Sequence, residues 1–309
     1  MATTQQAEER RANGEELAAK SAFFSRLRSY VIFVPLIYLY TGIMGSLSLL
    51  SSFFDRDGRM QHWFAVHWAK MILKTGGVSV HIDGLEHIDP AQPAVYAANH
   101  LSALDIPVLY ANLPVQFRIL AKRELFSYPF LGWHLKRSGQ IPIDPGDARA
   151  SLRSLNHASA SLRVGMPLVI FPEGGRSASG QMQDFMGGAF YMAIKGQAPV
   201  VPIVLVGTYE LLPMNSFDLL PGRVDMIIGE PISTTGMVPR QMDKLSAQVR
   251  EAMLEMYASR VELSGVIPSG GAGSGVEVEP LCRREPEHSE VREPTGEILS
   301  EVEGDPARE

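Results

Sequence analysis

The stretch PAVYAANHLSALD, residues 93–105, changes its periodicity halfway. AVYAAN (94–99) is a short apolar run that reads as a strand. Ser102 is a good N-cap, and Asp105 three residues on completes a Ser-x-x-Asp capping box, so a helix is predicted over 102–112. A strand that hands directly to a helix is the repeating step of an α/β fold.

The same texture continues from Val78 onward. Strands are predicted at 78–84, 94–99, 116–121, 140–145, 167–172, 200–207 and 224–231, with helices at 102–112, 128–138, 147–164, 184–196 and 238–262. The helix at 147–164 places Leu152, Leu155 and Leu162 on one side and stops at Gly165. Alternation of this kind predicts an α/β domain over 76–265 with a mixed, largely parallel sheet flanked by helices. No internal repeat is visible.

Upstream, YVIFVPLIYLYTGIMGSLSLLSSFF (30–54) contains no charged residue. As a helix it would run about 37 Å, longer than a bilayer core. Tyr30, Tyr38 and Tyr40 suit an interface, Arg26 and Arg28 flank the start, and Pro35, Gly42 and Gly45 interrupt it. The next segment, MQHWFAVHWAKMIL (60–73), carries Trp63, Phe64, Trp68, Met71 and Ile72 at helical spacing, which reads as an interfacial amphipathic helix. Residues 21–75 are therefore expected to form a two-helix membrane motif ahead of the α/β domain. The flanking run AFFSRLRSY is not a signal-peptide n-region, so the segment is expected to stay on the mature protein. The plainer reading makes both helices core elements of a soluble domain.

Charge is unevenly distributed. Residues 266–309 hold 11 acidic and 4 basic residues, which leaves a net charge of +1 for the other 265. A near-neutral body offers no basic face for nucleic acid. The acidic tail after PSGGAGSG reads as disordered, and residues 1–20 as a polar, loosely ordered segment. The single cysteine, Cys282, lies in the tail; it allows no internal disulfide, which fits a reducing compartment, and is a poor nucleophile candidate.

Three strand ends carry chemistry. In NHLSALD, His100 and Asp105 are five positions apart, about 140° apart on a helix, and can meet only if His100 precedes the first turn. A carboxylate that orients an imidazole would make His100 a general base toward a hydroxyl; the plain alternative is an Asp105 cap and a turn histidine. FPEGGRS (171–177) gives Gly174 and Gly175 for a tight turn, Arg176 as a planar fork for a phosphate, and Glu173 to hold the loop, bind a substrate hydroxyl or pair with Arg176. Its plain alternative is a Gly-rich turn with a solvated charge pair. AKRELF (121–126) adds Lys122 and Arg123. There is no G-x-S-x-G elbow, no Walker loop and no Cys/His zinc spacing, and no third ligand near His100 and Asp105 suggests a metal.

NHLSALD, FPEGGRS and VPIVLVG (201–207) resemble three ordered blocks of the glycerolipid acyltransferases, in particular the bacterial 1-acylglycerol-3-phosphate (lysophosphatidate) acyltransferase type. The resemblance covers roughly residues 30–260. It implies transfer of an acyl chain from acyl-CoA or acyl carrier protein to the free hydroxyl of 1-acylglycerol-3-phosphate, forming phosphatidate, without a cofactor. On it, His100 is the base and Asp105 its orienting partner. Glu173, Gly174 and Gly175 belong to the acceptor block, Arg176 and Lys122 with its neighbour Arg123 to phosphate binding, and Pro202 to an apolar fourth block. It also implies a membrane-associated enzyme, expected at the cytoplasmic face of a bacterial inner membrane. The chain departs from the family at Gly175, where threonine is common, and in GQIPIDP (139–145), where Pro142 and Pro145 replace an aromatic and an arginine; Arg149 is a candidate substitute. Acceptors other than lysophosphatidate, and a non-catalytic lipid-binding protein of the same fold, are the rival readings.

Overall fold

The computed structural model describes residues 26–55, 57–144 and 146–264. The polar segment 1–20, the acidic tail with Cys282, and Pro145 lie outside the described residues. The seven stretches expected as strands each overlap one: β1 Val78–Asp83, β2 Val95–Ala98, β3 Arg118–Lys122, β4 Ile141–Ile143, β5 Leu168–Ile170, β6 Val200–Val206 and β7 Gly222–Ile228. They form one sheet in the order β1-β7-β6-β2-β5-β3-β4. The run from β6 to β4 is parallel, β7 is antiparallel to β6, and β1 is parallel to β7. The sheet is mixed and largely parallel, as the alternating pattern predicts.

The central strands are apolar throughout because both faces are covered. Tyr96, Ala98, Val201, Ile203 and Leu205 face one core with Ala69, Ile72 and Leu73 of α2 (Arg59–Gly76) and Val108 and Leu109 of α3 (Asp105–Asn112). Val95, Ala97, Val200 and Val204 face the other. There they meet α5 (Ala148–Arg163), α6 (Tyr191–Gly196) and α8 (Met242–Ser264), whose Leu245, Val249 and Met253 repeat every four residues. Two short helices complete the set, α4 (Leu131–Arg137) and α7 (Thr208–Leu211).

Two helical expectations change in detail. On α5, Leu162 is buried but Leu152 is exposed; the inward face is made instead of small residues, Ala150, Ser154, Ala158 and Ser161. Small residues let α5 lie close to its neighbours: a Cβ on Gly196 would sit 3.2 Å from Leu162. The second helix expected in the two-helix motif, α2, is in large part a core element. It turns Ala69, Ile72 and Leu73 into the α/β core and leaves Met60 and Trp63 outside.

The first element, α1 (Val34–Ser51), continues a π-helical turn at Ser29–Phe33. The continuous helix Arg26–Ser51 is long and apolar enough to cross a membrane, yet only 11% of its apolar window is buried in the protein. Both of its ends are tied to the α/β domain. Near the start, Arg28 donates to the Leu219 carbonyl at 2.6 Å and Ser29 Oγ accepts from Leu219 N–H at 3.1 Å. Near the end, Ser48 Oγ meets His134 Nδ1 of α4 at 3.1 Å. Between them Trp68 of α2 donates to Thr41 Oγ1. The helix thus lies along the domain and turns Val31, Tyr38, Leu39, Ile43, Leu47 and Leu50 outward.

Candidate active site

Parallel pairing fixes which residues can meet. Ala97 of β2 is level with Ile170 of β5, so His100 emerges level with Glu173. Ile119 of β3 is level with Val169, so Lys122 ends level with Pro172. The blocks NHLSALD, FPEGGRS and AKRELF, far apart in sequence, therefore share the C-terminal edge of the sheet, where open α/β folds place their sites.

The turn after β2 is held on every side. Asn99, fully buried, extends the ladder with its side chain: Nδ2 donates to the Leu205 carbonyl at 2.9 Å and Oδ1 accepts from Leu205 N–H at 2.7 Å. His100 N–H donates to Glu173 Oε1 at 2.7 Å, and the His100 carbonyl accepts from Ser177 N–H at 2.9 Å. The FPEGGRS loop therefore grips the histidine backbone from both sides. Beneath the imidazole lies Phe171, ring centroids 4.0 Å apart and 21° from parallel.

Asp105 is fully buried at the first position of α3. One oxygen, Oδ2, accepts three hydrogen bonds of 2.8 Å, from His100 Nδ1 and from the backbone N–H groups of Leu101 and Ser102. A carboxylate can only accept, so Nδ1 carries the proton and Nε2 keeps its lone pair. The capping box is present in altered form. Helix α3 starts at Asp105 rather than just after Ser102; Asp105 still binds Ser102 N–H, while Ser102 Oγ accepts from Leu104 N–H and donates to the Leu212 carbonyl. Capping and imidazole orientation are one arrangement here, not alternatives.

Glu173 is buried, and its two oxygens are taken by backbone N–H groups, His100 on Oε1 and Gln183 on Oε2 at 2.8 Å. Burial pushes its carboxyl above the usual range, against the pull of those two hydrogen bonds. Of the three roles open to Glu173, the geometry matches the loop-holding one. Gly174 has φ +74°, and a Cβ there would lie 2.5 Å from Met186 Cε, so the turn requires glycine. A Cβ on Gly175 would meet only open space, so sterics alone do not demand glycine there.

The cations divide. Arg176 and Lys122 are exposed at the sheet edge, with no side-chain partner among the described residues. Arg123 is instead paired with Asp144 after β4, 3.3 Å from Nε to Oδ2. Pro142 is half-buried within β4, and Arg149 is exposed on the first turn of α5. Asn99, Phe171 and Ser177 are parts of the site that sequence reasoning did not single out, although all three stand inside the two quoted blocks. No group of three or more metal-ligating side chains occurs among the described residues.

Comparison with known proteins gives the family and the fold. A family model described as Acyltransferase matches residues 79–206. The chain is 35% identical over 176 residues to the chloroplastic 1-acyl-sn-glycerol-3-phosphate acyltransferase LPAT1 of Arabidopsis thaliana, covering 56% of this chain and about half (49%) of that one. It is 32% identical over 244 residues to a 1-acyl-sn-glycerol-3-phosphate acyltransferase of Chlamydomonas reinhardtii, covering 76% of this chain and 70% of the relative. Among solved structures, the 1-acyl-sn-glycerophosphate acyltransferase PlsC of Thermotoga maritima superposes with a TM-score of 0.66 at 25% identity, over 80% of this chain and 99% of that one.

Proposed function

The chain belongs to the 1-acyl-sn-glycerol-3-phosphate acyltransferase family, and on that footing we propose that it acylates the free hydroxyl of 1-acylglycerol-3-phosphate to give phosphatidate. The observation that carries the reading is Asp105 Oδ2, which accepts from His100 Nδ1 and leaves Nε2 as the base. Nε2 removes the hydroxyl proton as the oxygen attacks the thioester carbonyl of acyl-CoA or acyl carrier protein. The buried carboxylate stabilises the imidazolium that forms. As the C–O bond is made and the C–S bond breaks, the departing thiolate takes the proton from Nε2, and His100 returns to its starting state. The residues themselves supply this chemistry without a cofactor.

Arg176, with Lys122, takes the acceptor phosphate; Gly174 and Gly175 let that loop turn close to it. Arg123, engaged with Asp144, has a secondary part. Replacing Arg176 by alanine is expected to raise KM for lysophosphatidate about ten- to a hundred-fold, the worth of a charged hydrogen bond. Monoacylglycerol, which lacks the phosphate, should respond little to the change. Steady-state kinetics with both acceptors decide it, and an unchanged KM for lysophosphatidate would remove Arg176 from phosphate binding. Ile141–Ile143 brings Pro142 rather than a cation to this edge, which favours testing other lysolipid acceptors in the same assay.

The outward face of α1 supports association with one leaflet, because both helix ends return to the domain. A membrane position lets an amphiphilic acceptor reach His100 without leaving the bilayer. We place the enzyme on the cytoplasmic side of a bacterial inner membrane.

A further inference from the structure

Helix α4 extends the apolar surface of α1 onto the α/β domain. Tyr128, Phe130, Leu131 and Trp133 are exposed, Phe130 by 67% and Trp133 by 54%. Phe130 also has φ +60°, a conformation that a bulky side chain rarely adopts. The patch is continuous with α1 through the Ser48–His134 contact and runs into Phe53 and Phe54, both exposed. At its edge stand Lys136 and Arg137, exposed and without a carboxylate partner among the described residues. The Arg137 guanidinium lies 5.2 Å over the Phe53 ring. Between the two helices is a cavity of about 320 Å³ lined by Leu49, Ser52, Phe53, Trp133, Lys136 and Arg137.

We propose that this face is a second membrane contact and that the cavity seats the phosphate of an anionic phospholipid of the surrounding bilayer. Aromatic rings beside paired cations match the chemistry of a bilayer interface, where rings sit at headgroup level and lysine and arginine attract anionic lipid. Continuity with the outward face of α1 brings α4 to the same depth. The cavity is lined mainly by apolar surface, with Leu49, Phe53 and Trp133 among its walls, and Lys136 and Arg137 put two cations at the same place, which suits the junction between a lipid's phosphate and its acyl chains. The site is separate from Arg176 and Lys122, which stand at the sheet edge. The inference rests on the membrane association proposed above.

The test uses full-length protein with Trp63→Phe and Trp68→Phe, which leaves Trp133 as the single tryptophan of the three. It is mixed with vesicles of phosphatidylcholine alone, or with one lipid in three replaced by phosphatidylglycerol, in each case with brominated acyl chains. Trp133 emission is expected to shift to the blue and to be quenched in the anionic vesicles. The double change Lys136→Gln and Arg137→Gln is expected to weaken binding to anionic vesicles about thirty-fold and to leave partition into phosphatidylcholine unchanged. Trp133 unquenched in vesicles that do bind the protein, or equal binding by the double variant, would overturn the α4 site alone. Failure of the wild type to bind either vesicle would overturn the membrane reading of α1 and this inference with it.

Discussion

Replacing Asp105 by asparagine is expected to lower turnover by about two to four orders of magnitude while leaving the fold largely intact. The amide oxygen can occupy the position of Oδ2 and accept from His100 Nδ1, Leu101 and Ser102. The amide nitrogen then falls where Oδ1 is buried without a partner, at a cost of about 1–3 kcal/mol. What disappears is the negative charge that stabilises the imidazolium. Asp105→Ala differs in kind: it leaves two buried backbone donors and the His100 Nδ1 donor unpaired and should cost stability first. Initial rates and thermal unfolding of both variants separate the two roles. Turnover within ten-fold of wild type in Asp105→Asn would reduce Asp105 to a helix cap.

Glu173→Ala is expected to destabilise the protein by about 1–3 kcal/mol, because the part-buried backbone N–H groups of His100 and Gln183 lose their acceptor. For a domain of this size that is a fall of roughly 2–12 °C in Tm. Turnover should fall as well, since the His100 backbone loses one of its two grips. The pH dependence has a definite sign. Burial raises the Glu173 carboxyl in the folded state, so its proton-linked contribution is full below the ordinary carboxylate range. That contribution is lost as pH rises through the raised value. The stability gap between wild type and Glu173→Ala should therefore narrow from acid toward neutral pH. Calorimetry across that range checks it; an unchanged Tm would mean that the loop does not depend on this carboxylate.

Much of the site was legible because its chemistry is local. His100 and Asp105 are five residues apart, and strand-then-turn geometry alone allows them to meet. The central strands β2, β5 and β6 were legible for a similar reason: parallel neighbours covered on both faces write each of them as an uninterrupted apolar run. What the sequence did not reveal depends on register between distant segments. Nothing in FPEGGRS says that Glu173 binds His100 N–H rather than substrate; that follows from Ala97 lying level with Ile170. Arg123 looked like Lys122 in the chain, and only β4, bringing Asp144 alongside, distinguishes them. On α5, leucine periodicity pointed at Leu152, whereas close packing selected small residues for the inward face. An exposed aromatic run such as Tyr128–Trp133 carries no sign in sequence of whether it faces core, solvent or lipid.

The most direct measurement is the formation of phosphatidate from lysophosphatidate and labelled acyl donor, wild type beside His100→Ala in the same detergent–lipid mixture, with acyl-CoA and acyl carrier protein as alternative donors. Among the described residues the imidazole ring hydrogen-bonds to Asp105 and stacks on Phe171 with no further partner, so its removal should leave the protein folded. The expected result is phosphatidate from the wild type and about two to four orders of magnitude less from His100→Ala. Undiminished product from His100→Ala, or no phosphatidate from the wild type with either donor, would contradict the assignment of His100 as the base of this transfer.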